Sequence, residues 1–141
     1  MPVVAGIDRS ERAQSVLERA ATLAADAGLE LHVTHVGTPG VPTSQGGYNP
    51  DRDRDLARKR AKATARETAE DVDAVEAFEP VGLLGNPAQE LMEYSDERNA
   101  EYIVVSARKR SPMGQALFGS VTQALLLQAD RPVVATPHKP T

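Results

Sequence analysis

Short apolar runs alternate with helix-length segments along the whole chain, and this alternation restricts the possible folds more than any other feature. Runs rich in β-branched residues predict five strands, at 2–7, 31–36, 75–84, 102–105 and 131–136. Their nearly continuous apolarity is typical of strands that are buried on both faces, as in parallel sheets. Regular β-α alternation therefore predicts an α/β fold, with one open, mostly parallel five-stranded sheet and helices on both of its faces.

Punctuating residues indicate where the helices begin and end. Ser10 can cap the first helix with Glu11 in its first turn, and Gly28 is a natural stop. Asn86 followed by Pro87 predicts the start of the third helix, with Asn as the cap and Pro at the first helical position.

The second helix is predicted over 51–71 by a stripe of small residues. Ala57, Ala61, Ala65 and Ala69 recur every fourth residue, so one face of this helix can lie close to the sheet. The preceding segment 37–50 is dense in Gly and Pro, which predicts a surface loop rather than a domain boundary.

Composition excludes several classes of protein. A length of 141 residues predicts a single domain spanning 1–141, and the absence of cysteine excludes disulfides and Cys-ligated metals. No apolar run approaches the roughly 20 residues that span a membrane, and no signal peptide is visible, so we expect a cytoplasmic location and no membrane partner. A net charge of −4 with few aromatic residues argues against nucleic-acid binding.

Metal and catalytic sites are not predicted by the residue pattern. His32 and His35 are three apart on a strand, so their side chains point to opposite faces and cannot form a metal pair by themselves. The third histidine, His138, lies in a Pro-rich tail. No serine has an identifiable base, so no catalytic residue is assigned.

The stretch 102–129 places an apolar strand, a cationic loop and a helix start at Gly119-Ser120 in sequence. Backbone N–H groups and the positive end of the helix dipole converge at such a helix start, which favours anionic ligands. An ordinary strand-to-helix connection capped by Ser120 would give the same pattern. In open α/β sheets, ligands bind beyond the carboxyl ends of the strands where the winding direction reverses, here 8–10, 36–37 and 106–120.

Four segments carry a resemblance to a known family. They are VVAGIDRSERAQSVLERA, LHVTHV, GNPAQEL and RKRSPMGQALFGSVTQALLLQADRPVV. Together they resemble the universal stress protein family over the whole chain. The resemblance implies a Rossmann-like, adenine-nucleotide-binding type of sheet with order 3-2-1-4-5 and a switch point between the first and fourth strands. It also implies a homodimer through the last strand, and ATP binding in a subset of members.

The nucleotide-binding subset carries a glycine motif that this chain keeps only in part. The motif positions fall on Ser106, Lys109, Gly119 and Ser120, so two of the three glycines are replaced. Lys109 cannot let a phosphate approach bare backbone as Gly does, but Lys109 and Arg108 can bind phosphate through side-chain charge. The departure therefore indicates either a side-chain clamp or the loss of nucleotide binding.

Three further site residues are implied by the resemblance. Asp8 would face the sugar or base, Val36 would lie beside the adenine, and Val121 would follow the phosphate-binding Ser. Asp8 can equally be a carboxylate that caps its own turn, and the two valines can be buried without a ligand.

Two functions remain open from the sequence. The first is a regulatory module of the stress response that binds ATP or AMP as a homodimer, with at most slow ATP hydrolysis. The second is a dimeric interaction protein of the same family that has lost nucleotide binding and meets an unknown protein partner.

Overall fold

A computed structural model describes residues 1–38, 50–107 and 119–137 of the chain. Strands and helices alternate strictly along these residues. The strands are β1 (Val3–Ile7), β2 (Leu31–Gly37), β3 (Glu79–Leu84), β4 (Tyr102–Ala107) and β5 (Val133–Pro137). The helices are α1 (Arg12–Ala27), α2 (Pro50–Glu70), α3 (Pro87–Glu97) and α4 (Ser120–Gln128).

The five strands form one sheet in the order β3-β2-β1-β4-β5, and every neighbouring pair is parallel. Val3 of β1 is in register with Leu31 of β2 on one side and with Tyr102 of β4 on the other. The chain therefore winds outward from β1 in one direction, then crosses to β4 and winds in the other. The predicted fold class and strand order are confirmed.

Two apolar cores lie on opposite faces of the sheet. Helices α1 and α2 pack on one face, where Val3, Leu17 and Val33 are fully buried. Helices α3 and α4 pack on the other face, where Val4 and Leu125 are fully buried. Burial of adjacent residues on opposite faces is why the strands read as continuous apolar runs.

Small residues let α2 lie close to the sheet. Ala61, Ala65 and Ala69 of the predicted stripe are buried. Opposite them, a Cβ atom added at Gly82 of β3 would lie 2.2 Å from the carbonyl oxygen of Arg58. The alanine stripe is confirmed, and a glycine on the strand completes the close contact.

Two predicted helix boundaries are also confirmed. Gly28 ends α1 with φ of 66°, a left-handed conformation that favours glycine. The side chain of Asn86 accepts a hydrogen bond from the Gln89 amide at 3.1 Å, and Pro87 begins α3.

The third strand starts later than the sequence predicted. It begins at Glu79 rather than at residue 75, because the amide of Val75 closes a turn onto the carbonyl of Val72 at 3.0 Å. Val75 and Phe78 still pack partly buried against the core formed with α1 and α2. Val75 and Phe78 are therefore apolar residues of a loop, and their pattern led to the wrong prediction of a strand.

The starts of α1 and β5 also differ from the prediction. The N-cap position of α1 is Glu11, and the Ser10 hydroxyl accepts from the Arg12 amide only at 3.3 Å. Strand β5 begins at Val133, although the carbonyl of Pro132 just before it accepts a hydrogen bond from Ile103 at 3.0 Å. No helix in the described part of the chain is both long and apolar enough to cross a membrane.

Candidate functional site

A cavity of about 150 Å³ lies at the carboxyl ends of β1, β2 and β4, where the winding direction reverses. Four of the predicted site residues line it together, namely Asp8, Val36, Ser106 and Val121. Each comes from a different element or its end, so only the parallel sheet brings them to one place.

The residues predicted to bind the phosphates lie outside the cavity lining or outside the described part of the chain. Gly119 and Ser120 do not line the cavity, but they begin α4 directly before Val121. Gly119 is extended at the N-cap, and neither a capping side chain nor an acidic residue occupies the first turn. The positive end of this helix is therefore not neutralised by a side chain of its own first turn. Arg108 and Lys109 lie outside the described residues.

Asp8 is held by its own turn. One carboxylate oxygen accepts hydrogen bonds from the amide of Ser10 at 2.8 Å and from the Ser10 hydroxyl. The other oxygen lies 3.5 Å from the guanidinium of Arg12. Partial burial alone would raise the pKa of Asp8, but the Ser10 hydrogen bonds and the Arg12 charge outweigh it and lower the pKa. Asp8 is thus an anion whose side chain is still 52% exposed.

Two polar side chains of β2 fix the cavity wall to β1. The hydroxyl of Thr34 donates to the carbonyl of Ala5 at 2.9 Å, and Nδ1 of His35 lies 3.0 Å from the carbonyl of Ile7. Because a carbonyl only accepts, Nδ1 carries the hydrogen in this contact. In the neutral ring Nε2 is then left as an acceptor.

The end of β4 is joined to α4 by one short hydrogen bond. The hydroxyl of Thr122 donates to the carbonyl of Ser106 at 2.6 Å. The sequence pattern predicts that Val121, Ala124, Leu125 and Gln128 share one side of this helix. Leu125 is buried as expected, but Gln128 is exposed and Thr122 is buried in its place.

Helix α3 closes the cavity on the face of the sheet that it shares with α4. A Cβ atom added at Gly6 would lie 2.8 Å from Cδ1 of Leu91 and 3.3 Å from Cγ1 of Val105. The bare backbone of Gly6 therefore makes room for Leu91, which lines the cavity together with Pro87.

Sequence reasoning did not assign Gly6, Thr34, Pro87, Leu91 or Thr122 to the site. The approach of α3 depends on how the helix crosses the sheet, which local patterns do not specify. The sequence offers one signal for Thr34, because it is a hydroxyl-bearing residue in a strand that is predicted to be buried. Buried hydroxyls need a hydrogen-bond partner, so such a residue marks a fixed polar contact.

The cavity is mostly apolar and includes a few polar side chains. Its walls are largely aliphatic, with polar atoms from Asp8, Thr34, His35, Ser106 and Thr122. In the described ranges, the one group of three His or acidic residues with metal-ligand spacing lies elsewhere, at the amino ends of β2 and β3. The start of α4, where backbone amides converge at the positive end of the helix, lies beside the cavity.

Proteins of related sequence carry one name. The chain is 42% identical over 64 residues to a universal stress protein of Mycolicibacterium smegmatis, a match that covers 45% of this chain and 48% of that protein. It is 26% identical to the universal stress protein YxiE of Bacillus subtilis, covering 94% of this chain and 95% of that protein. The chain thus matches only about half of the first protein's length.

Several solved structures of the same fold are also described as universal stress proteins. The structure from Archaeoglobus fulgidus is 28% identical with a TM-score of 0.63, covering 96% of this chain and 98% of that one. A complex of the A. fulgidus protein with dAMP has 24% identity and a TM-score of 0.57, covering 96% and 97%. A universal stress protein in complex with cAMP has 21% identity and a TM-score of 0.61, covering 99% and 98%.

A family model matches the chain as well, and it carries the same name as these relatives. It is described as the universal stress protein family, and it matches residues 1–137, which is nearly the whole chain. The chain belongs to the universal stress protein family.

Proposed function

We propose that this chain is a regulatory module of the stress response that binds an adenine nucleotide at the β1/β4 switch point and acts as a homodimer. The observation that carries the proposal is the cavity where Asp8, Val36, Ser106 and Val121 meet. Two relatives of the same fold are described as complexes with dAMP and with cAMP, which supports this choice of ligand class.

The cavity would take the nucleoside end of the ligand. Its volume of about 150 Å³ is below the ~300–1,000 Å³ of pockets that enclose a whole drug-sized ligand. Val36 and Leu91 offer apolar surface to the base, and Nε2 of His35 offers an acceptor. Asp8 would accept a hydrogen bond from a sugar hydroxyl through the half-exposed side of its carboxylate.

The phosphates would meet the start of α4. The amides of Gly119, Ser120 and Val121 are at the positive end of this helix, and the exposed Ser120 hydroxyl can donate to a phosphate oxygen. Gly119 has φ of −65°, which any residue adopts, so its backbone shape does not require glycine. Its missing side chain matters only if a ligand approaches the backbone closely.

The test is titration calorimetry of ATP and AMP with the wild type, Ser120→Ala and Gly119→Ala. Losing the Ser120 hydrogen bond to a charged phosphate should cost about 1.5–3 kcal/mol, which is roughly 10–100-fold in affinity. Gly119→Ala keeps the backbone amide and should weaken binding through its added methyl group, which hinders close approach of the phosphate to the backbone. Gln123→Ala is the matched control, because Gln123 is exposed on the same helix. Unchanged affinity in both site variants would remove α4 from the nucleotide site.

Salt dependence separates side-chain charge from backbone contacts. In the proposed site, the charged side chains of Arg108 and Lys109 take the place of backbone N–H contacts to the phosphates. A large part of the phosphate binding is therefore ionic. The Debye length falls from ~10 Å at 0.1 M salt to ~3 Å at 1 M, so affinity for ATP should fall as salt rises. An affinity that does not change with salt would exclude the side-chain clamp.

Two observations favour a second function, in which the chain binds no nucleotide. Two motif glycines are replaced, and the Asp8 carboxylate already has hydrogen-bond partners within its own turn. Ser106 and Lys109 stand at glycine positions, and Asp8 already has partners in Ser10 and Arg12. The chain would then be a dimeric interaction protein without nucleotide. No binding heat with the wild type, but binding by Ser106→Gly combined with Lys109→Gly, would establish this alternative.

The homodimer is proposed to form through β5. This strand is an edge of the sheet, and β4 is its neighbour on the inner side. Its residues Val133, Val134 and Ala135 are only partly buried, and nearby α4 exposes Leu127 by 76%. Pairing β5 with its copy around a two-fold axis would cover this apolar edge in a self-complementary interface.

A further inference from the structure

Three metal-ligating side chains meet at the amino end of the sheet, opposite the cavity. Glu30 immediately precedes β2, His32 is the second residue of β2, and Glu79 begins β3 directly beside His32. Nε2 of His32 lies 3.2 Å from a carboxylate oxygen of Glu30 and 3.3 Å from one of Glu79. The nitrogen and the two oxygens all lie within 4.8 Å of one another.

The histidine of this group is fixed, whereas the glutamates are reachable. The His32 side chain is only 4% exposed, but those of Glu30 and Glu79 are 81% and 59% exposed. The Tyr94 hydroxyl lies 2.7 Å from Nδ1 of His32, a contact that fixes the orientation of the ring. An ion can therefore arrive from solvent at a nitrogen that is already oriented.

We propose that Glu30, His32 and Glu79 bind a divalent transition-metal ion of the zinc class. Zinc binds imidazole nitrogen and carboxylate oxygen at ~2.0–2.2 Å, usually with tetrahedral geometry. Two ligands of such a tetrahedron are ~3.4 Å apart, as its bond lengths require. The 3.2 Å and 3.3 Å separations from Nε2 match that spacing, so modest movement of two exposed side chains completes three ligand positions.

Tyr94 is the positioning residue of this site. Histidines that bind metals almost always hydrogen-bond through their other ring nitrogen, which fixes the tautomer and the ring orientation. In the neutral ring without metal, the Nε2–H donates to the carboxylates, which can only accept, and Nδ1 accepts from the Tyr94 O–H. With metal, the lone pair of Nε2 binds the ion and the Nδ1–H donates to the Tyr94 oxygen. Ion binding thus changes the tautomer of His32 without moving the ring.

The surrounding charge favours an ion that uses the nitrogen ligand. Glu79 and Tyr94 also line a groove of about 330 Å³ that carries Arg58, Lys62 and Arg98. These cations repel every divalent ion, so binding depends on the bond to the imidazole nitrogen, which Zn²⁺ favours and Mg²⁺, with its preference for oxygen ligands, does not. The site should therefore bind Zn²⁺ in preference to Mg²⁺.

The test uses the full chain after dialysis against a chelator, titrated with ZnCl₂ and with MgCl₂ in the absence of nucleotide. We expect one Zn²⁺ per chain, and at least about tenfold weaker binding when Glu30→Gln and Glu79→Gln are combined. Glu67→Gln is the matched control, since Glu67 is an exposed glutamate on α2. Equal Zn²⁺ affinity in the wild type and the double variant, or no Zn²⁺ binding by the wild type, would overturn the proposal.

Tyr94→Phe tests the positioning role separately, because it keeps the ring and removes only the hydroxyl. Zn²⁺ affinity should fall about 10–100-fold, the usual effect of losing such a partner. Nitrogen NMR should also show Nε2 of His32 shifting on Zn²⁺ addition, while the His35 ring at the opposite end of β2 is unaffected. A shift at His35 or unchanged His32 nitrogens would place the ion elsewhere and refute the site. Neither result depends on whether the chain binds a nucleotide.

Discussion

Gly82→Ala tests how tightly α2 is packed onto β3. The added Cβ atom would lie 2.2 Å from the carbonyl oxygen of Arg58 and 2.5 Å from the amide nitrogen of Lys62. Carbon atoms in folded proteins do not approach such atoms within 3.0 Å, so two successive turns of the helix must retreat. No flexible side chain can absorb the clash, because both neighbours are backbone.

The cost follows from that geometry. Inserting one extra methyl into a well-packed site costs about 1–3 kcal/mol, and occasionally more. Since a helix backbone must move, we expect about 3 kcal/mol here, which lowers the melting temperature by roughly 10 °C in a chain of this size.

Gly37→Ala is the matched control, because Gly37 faces the same helix from β2. Its added Cβ atom would meet Cβ of Ala61 at 3.4 Å and Cδ2 of Leu84 at 3.5 Å, which is ordinary contact. Its effect on the unfolding free energy should stay within about 1 kcal/mol. Urea denaturation followed by circular dichroism measures both variants. If Gly82→Ala is no less stable than Gly37→Ala, the close contact of α2 with β3 is wrong.

Three further predictions concern a cap, a charge and the dimer. Asn86→Ala removes the cap of α3 and should lower the unfolding free energy by about 0.5–2 kcal/mol in urea denaturation. Asp8 has a lowered pKa in the folded chain, so its contribution to stability is present above pH ~4 and is lost as pH falls through the folded pKa. Because Asp8 is half-exposed, Asp8→Asn should remove at most about 1 kcal/mol of that pH dependence, and a larger acid effect in the variant than in the wild type would contradict the assignment. Val133→Lys combined with Ala135→Lys should give a monomer mass by light scattering, whereas Leu56→Lys on α2 should leave the dimer intact. A dimer that persists in the double variant would exclude β5 as the interface.

The fold was predictable because local patterns and global topology agree in this chain. Buried strands give apolar runs, and Gly28 and Asn86 each mark a helix end by their own backbone or side-chain chemistry. The error at β3 has an equally local cause. Val75 and Phe78 are apolar because a loop packs them against the core, and periodicity alone cannot distinguish that from a strand.

Most of the predicted residues that line the cavity follow the strand ends, and Val121 on α4 was implied only by the family resemblance. Asp8, Val36 and Ser106 lie at carboxyl ends of strands, so the topology brings them together once the sheet order is known. Leu91 lines the cavity from α3, and its approach to the sheet depends on the missing side chain of Gly6. The cluster of His32 with Glu79 was missed for a related reason, because it depends on the pairing of β2 with β3 rather than on spacing within one strand.

Strand β2 serves both ends of the sheet, since His32 lies in the metal-ligand cluster near its start and Val36 lines the cavity near its finish. Side chains alternate between the two faces of a strand, so deleting one residue within Leu31–Gly37 would turn every later side chain to the opposite face. After such a deletion, only one end of β2 could keep its original pairing. The side chains at the other end would then point away from their site. We therefore expect few folded variants with an insertion or a deletion anywhere in β2. Substitutions preserve the length of the strand, so they should be tolerated at positions away from both sites.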